Sequence, residues 1–263
     1  MAGSWFFDGV DDWIGIAANA AQETPDTAVT LAGWFRPVGG QDGTQWTMAG
    51  KKHTAGTAPH IAYDIQHIDD APHEYQGIIG LDDDSFPATA AASVTADVWQ
   101  FWAVTWSSGN PIRFRIWTAA GTLSQDVTSA NQTGTLAYAA LGVQLGKNGP
   151  SNRFWEGHCA YFGATDTVLS DGQLDTWRTT GVPPVTLSAF FLPLDSASAV
   201  DTAQGGTVNV TGAVHDANES PPTSVPPTEL AIEAAVETNS AVDVTPSQTF
   251  PEPLILVGLG FDP

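Results

Sequence analysis

Short apolar bursts alternate with turn-forming clusters along most of this chain. Residues 5–7, 13–16, 29–35, 46–51, 61–68, 76–81, 99–106, 112–118, 142–146, 154–162 and 188–194 are rich in aromatic and β-branched side chains. Gly, Asp, Asn and Pro clusters lie between them, as in Phe7-Asp8-Gly9 and Ser108-Gly109-Asn110-Pro111. Such punctuation predicts strands joined by short connections, hence an antiparallel all-β protein. In Arg113-Phe114-Arg115-Ile116-Trp117 the period-two pattern predicts both arginines on one face and the apolar groups on the other. One segment reads differently. Ser170 is an N-cap, Leu174 and Trp177 recur at helical spacing, and Gly181 with Pro183-Pro184 ends the run.

A Pro/Ser/Thr-rich run at 219–227 reads as an extended linker. We therefore divide the chain into a domain over 1–219, a linker over 220–228 and a tail over 229–263. The tail carries an apolar end, Leu254, Ile255, Leu256, Val257, Leu259 and Phe261, which is expected to be an assembly contact. Pro246, Pro251 and Pro253 limit internal pairing there, which favours strand addition to a neighbour.

Composition narrows the function. Twenty-nine acidic residues against 8 Lys plus Arg give a formal charge of −21. That field disfavours nucleic acid and anionic membranes as partners. Ten Trp and 12 Phe against 2 Met predict a core of rigid aromatic rings. The lone Cys159 reads as a small buried hydrophobe. No run approaches the length of a membrane span, and the N-terminus lacks the pattern of an ordinary secretion signal. Synthesis and folding in a cytoplasm are the expectation.

Five motifs in order resemble the laminin-G-like branch of the concanavalin-A-like lectin and glucanase superfamily. They are Phe6-Phe7-Asp8-Gly9-Val10-Asp11-Asp12-Trp13-Ile14, the segment from Thr30 to Pro37, the segment from Trp99 to Trp106, the segment from Phe154 to Phe162, and Val168-Leu169-Ser170-Asp171-Gly172-Gln173-Leu174. Phe101 and Trp102 stand where that family has smaller or more polar groups. The resemblance implies a two-sheet antiparallel jelly roll. The same sandwich carries lectins, glycan hydrolases, adhesion modules and viral structural parts.

Candidate chemistry is sparse. The hydrolytic relatives place acids at E-x-D-x-x-E on one strand, and nothing here matches. The nearest acids, Asp64 and Asp69, differ by an odd number and face opposite sides of a regular strand. We expect no enzyme and no catalytic residue. Asp82, Asp83 and Asp84 offer adjacent carboxylates, read either as calcium ligands or as a solvated acidic turn. No other cofactor is expected. Asp8, Asp11 and Asp12 read as turn-formers. His53, His60, His67 and His73 match no compact zinc spacing. For glycan, Trp46 and Tyr75 are the candidate flat aromatics.

Residues 237–246 also resemble a stretch found in bacteriophage virion proteins. Together these features predict a virion component, a minor tail or capsid decoration protein, displaying a glycan-binding domain. Its partners would be other virion proteins, with the chain itself in a homo-oligomer. The alternative is a free-standing bacterial carbohydrate-binding or adhesion module.

Overall fold

The computed structural model describes residues 3–38, 46–52, 61–70, 73–81, 92–138, 142–147 and 154–223. The side chains of Trp46, Thr47, Lys52, Asp69, Asp70 and His73 fall outside that description. The strands in chain order are β1 (Ser4–Asp8), β2 (Trp13–Ile16), β3 (Ala28–Pro37), β4 (Trp46–Lys52), β5 (Ile61–Asp70), β6 (His73–Ile79), β7 (Ala92–Ser93), β8 (Gln100–Ser107), β9 (Asn110–Thr118), β10 (Leu123–Gln132), β11 (Val143–Leu145), β12 (Glu156–Thr165), β13 (Phe190–Leu192), β14 (Val208–Thr211) and β15 (Val214–Asp216). Helix α1 (Asp171–Thr180) follows β12.

The strands form two antiparallel sheets. The back sheet runs β10-β9-β8-β3-β12-β1-β15, with β13 also on β12. The front sheet runs β14-β2-β11-β4-β5-β6-β7. The chain crosses repeatedly between them, so neighbouring segments contribute to opposite walls of one core. This is the two-sheet sandwich that the strand pattern predicts.

Aromatic rings fill the space between the sheets. Phe35 lies 5.2 Å from Trp102 and 5.7 Å from Phe162, and Trp102 lies 4.7 Å from Tyr75 across the sandwich. Edge and tilted contacts of this kind add to the burial of apolar area. Cys159 is buried in the same core, where desolvation pushes its thiol up, so it is an inert packing group.

A second core lies behind the back sheet. Ala32, Trp34, Phe101, Ala103 and Ala160 point away from the first core and pack against Leu169, Leu174 and Trp177. Strands β3, β8 and β12 are therefore buried on both faces, which accounts for their near-continuous apolar sequence. It also explains Phe101, whose large ring sits under α1, 6.1 Å from Trp177.

The helix has the predicted ends. Ser170 Oγ accepts from the Gln173 N–H while Gln173 Oε1 accepts from the Ser170 N–H, a capping box. Gly181 closes the helix at φ 70°, where a side chain would be strained, and its N–H donates to the Trp177 carbonyl.

Two expectations are corrected. Trp117 does not share the apolar face of β9. It shares the face of Arg113 and Arg115, joins the second core, and lies 5.4 Å from the Arg115 guanidinium. Strand β5 is also irregular: its register shifts between His67 and Asp69, so parity does not decide where the two acids face.

A bulge organises β12. Its register against β3 shifts between Ala160 and Gly163, with Tyr161 at φ 51°. One edge of β12 thereby pairs first with β1 and then with β13. Strands β7, β10, β14 and β15 were not evident in the sequence. The ten residues of β10, LSQDVTSANQ, show why: this edge strand has only Leu123, Val127 and Ala130 as apolar groups, too few to mark a face.

Candidate functional site

The front sheet has one wet face. Pairing aligns a row across it on the side away from the core: Asn209, Gly15, Gln144, Gly50, Asp64 and Ile78. Over β5 and β6 this face is closed, with Asp64, Gln66 and Ile78 buried. Over β14, β2 and β11 it is open. There Trp13, Gly15, Gln144 and Asn209 line a shallow pocket of about 150 Å³.

Glycine makes that pocket. The edge of the Trp13 indole lies over Gly15, where a Cβ would come within 2.3 Å of the ring. The indole therefore rests on bare backbone. Lys147 stands over the ring, 5.2 Å from its centroid, and 5.6 Å from that of Phe154. Gln144 presents an amide whose Oε1 is buried without a hydrogen-bond partner. A buried acceptor left open costs about 1–3 kcal/mol, which a hydroxyl donor would recover. An indole flanked by two amides is suited to a ring with one apolar face and hydroxyls at its edge.

Of the candidate site residues read from the sequence, only Tyr75 has a described side chain. Tyr75 is only 1% exposed and faces the core, accepting from the Trp155 indole N–H at 3.3 Å. Burial raises its hydroxyl well above the ordinary tyrosine range, and the ring is not available to a glycan. This corrects its assignment. Trp46 pairs through its backbone with His67, and its side chain lies outside the described residues. So do Asp82, Asp83 and Asp84, and Leu254, Ile255, Leu256, Val257, Leu259 and Phe261. His53 and His60 also lie outside, and His67 is buried against Tyr75 at 4.9 Å.

Trp13, Gln144 and Asn209 were missed for a physical reason. Trp13 reads as one more core aromatic in a Trp-rich chain. Only the side-chain-free position two residues later, Gly15, hints that its ring lies over the backbone of the strand.

The Asp8–Asp12 turn behaves as expected of turn-formers. Asp8 Oδ1 accepts from the Val10 and Asp11 N–H groups at 2.8 and 3.4 Å, and Asp12 Oδ2 accepts from the Asp8 N–H at 2.9 Å. One oxygen from each of Asp8, Asp11 and Asp12 falls within a 4.8 Å group. Burial raises the Asp12 carboxyl; the Asp8 N–H opposes this, and the Asp8 and Asp11 charges add to it. Calcium takes six to eight oxygens, so three carboxylates would be half a shell.

No protein-family model matches the chain, and no curated protein does. Its fold is similar to that of a candidate carbohydrate-binding protein from Bacteroides ovatus ATCC 8483, with 12% identity and a TM-score of 0.59 over 86% of this chain. The chain spans 62% of that protein's length. It is also similar to the heptameric SAP-like pentraxin of Limulus polyphemus, with 10% identity and a TM-score of 0.53, covering 82% of this chain and 94% of that one. At these identities the likeness establishes the fold alone, a two-sheet antiparallel jelly-roll sandwich.

Proposed function

We propose that this chain is a glycan-binding module that recognises sugar on the open part of its front sheet and does no chemistry on it. The observation that carries the reading is the Trp13 indole laid over Gly15 between Gln144 and Asn209. The lectin-like fold is consistent with it.

The arrangement of acids supports binding over hydrolysis. Glycoside hydrolysis needs two carboxyl groups about 5–5.5 Å apart for retention, or about 6.5–9.5 Å for inversion. None of the residues that line the front-sheet pocket carries a carboxyl group.

The test is a glycan array followed by calorimetry on the whole chain. Trp13→Ala should weaken the best ligand by about tenfold or more, equivalent to ~1.4 kcal/mol, with the circular dichroism spectrum unchanged. Undiminished binding by Trp13→Ala would move the site elsewhere. Release of reducing sugar from a polysaccharide panel, abolished by a single carboxylate substitution, would overturn the non-catalytic reading.

A finer placement, as a virion component anchored through 229–263, rests on the resemblance of residues 237–246 and on the apolar tail, both outside the described residues. Pro221 is buried and Thr223 hydrogen-bonds Tyr161, so a clean truncation falls after Thr223. Mixed with particles lacking this protein, the shortened chain should fail to attach. Equal decoration by both forms would rule out the tail as anchor.

A further inference from the structure

We propose that the cleft between β9 and the first turn of α1 is a second binding site, which takes the carboxylate of an acidic sugar. It lies behind the back sheet, away from the front-sheet pocket, and its volume is about 400 Å³. That is within the range of small-molecule pockets.

The chain has only 8 Lys plus Arg, and two of them stand side by side in this cleft. Arg113 and Arg115 share a face of β9. Arg113 is clamped by Asp126, which accepts from Nε at 2.8 Å and from Nη2 at 2.7 Å. Its remaining Nη1 lies 3.6 Å from Asp171 Oδ1. Arg115 donates to the same Asp171 oxygen through Nη1, and to Thr105 Oγ1 through Nη2 at 3.3 Å. Two guanidinium groups therefore converge on one oxygen position.

Three features distinguish this from a structural strut. The first is an imbalance of burial: the Arg115 side chain is 2% exposed, but the Asp171 carboxylate it holds is 71% exposed. The second is an open donor, since Arg115 Nε is buried with no hydrogen-bond partner. The third is the identity of the other walls. Ser107 and Asn110 add neutral hydroxyl and amide groups, with Asn110 donating to Ser107 Oγ at 2.9 Å. A fixed anion site bordered by neutral polar groups matches a molecule that carries one carboxylate and several hydroxyls.

In this arrangement Asp171 is a stand-in. A ligand carboxylate replaces it at the converging guanidinium groups, and Asp171, already exposed, turns to solvent. The exchange trades one charge-assisted contact for another. The net negative charge of the chain does not forbid it, because surface charges beyond about 8 Å are screened at physiological salt.

The experiment uses the full chain and three probes, sodium glucuronate, glucose and sodium acetate, titrated by calorimetry and by the Arg115 Nε–H resonance. Glucuronate should saturate and shift that resonance, while glucose and acetate should not. Asp171→Asn, by removing the competitor, should tighten glucuronate about threefold or more; Arg113→Gln should weaken it about tenfold or more. Trp13→Ala should leave glucuronate binding intact, which separates this site from the front-sheet pocket. Three results would overturn the proposal: no saturation with Asp171→Asn, equal affinity in Arg113→Gln and wild type, or acetate binding as tightly as glucuronate.

Discussion

The back sheet is covered on both faces across β3, β8 and β12, whereas the front sheet is covered on one face and, over β14, β2 and β11, open on the other. The strands reflect this. Phe101-Trp102-Ala103-Val104 in β8 sends Trp102 and Val104 into the first core and Phe101 and Ala103 into the second. Trp13-Ile14-Gly15-Ile16 in β2 sends only its isoleucines inward. A strand buried twice has its positions dictated by packing, and only the end of β8, at Thr105 and Ser107, reaches the cleft beside α1. A strand buried once has an alternate set that packing does not dictate, and the indole, amides and glycine of the pocket occupy that set.

The contrast can be broken first where coverage is most complete. Trp102→Ala empties a site ringed by Phe35, Tyr75 and Phe114 and should cost about 3–5 kcal/mol. Denaturant titration checks it. A loss below about 1 kcal/mol would mean that the core collapses freely around the hole.

A pair of glycines sharpens the comparison. At Gly33, on the back sheet, an added Cβ meets the Phe162 backbone Cα at 3.0 Å and its Cβ at 3.2 Å. Neither atom can swing aside, so Gly33→Ala should cost about 1–3 kcal/mol by overpacking. At Gly15 the Cβ meets the outer edge of the half-buried Trp13 ring, which can tilt away. Gly15→Ala should change stability by about 1 kcal/mol or less and yet lose glycan binding, because the indole is pushed off the strand. Paired melting and calorimetry measure both. If Gly15→Ala binds normally, the indole over Gly15 is not the platform.

The same contrast explains what could be read from the chain. Strands β3, β8 and β12 carry ordered apolar motifs because two cores constrain them, and three of the five motifs behind the family resemblance lie there. Helix α1 was legible because Ser170 and Gly181 are local signals that need no tertiary context. Edge strand β10 was not, since an exposed strand needs no apolar alternation. The site was least legible. Tyr75 and Trp13 are both aromatic residues on front-sheet strands, and the direction each faces depends on pairing register, which a single chain does not display. The side-by-side arginines of β9 were visible as an alternation, but the carboxylate on which they converge arrives from α1, 56 residues later.

The smallest expected effect lies where the double coverage of the back sheet ends. At the start of β12 the outer face turns polar, and His158 lies beside Arg36 on β3, with its Nδ1 3.1 Å from the buried Ser4 hydroxyl. Phe6 and Trp99 flank its ring at 4.9 and 6.0 Å. Burial, and then the Arg36 charge, lower its pKa below the ordinary 6.5, against weaker opposite pulls from Glu219 and Asp216. Glu219 is itself held by Arg36 at 2.8 Å. With the folded value depressed, the unfolded chain takes up the proton first as pH falls. The stability that His158 contributes is therefore complete above pH 6.5 and is lost as pH drops from there toward the folded value. Glu156, two positions away, is raised by burial and by Asp8 and Asp97, so its ionisation acts in the opposite sense. Melting temperature measured from about pH 7.5 down to about pH 5.5 should fall in the wild type, and the slope should flatten in His158→Gln. If the substituted chain keeps the full slope, the loss arises from the acidic surface, and the neutral histidine at the end of the back sheet is only a spacer between Ser4 and Arg36.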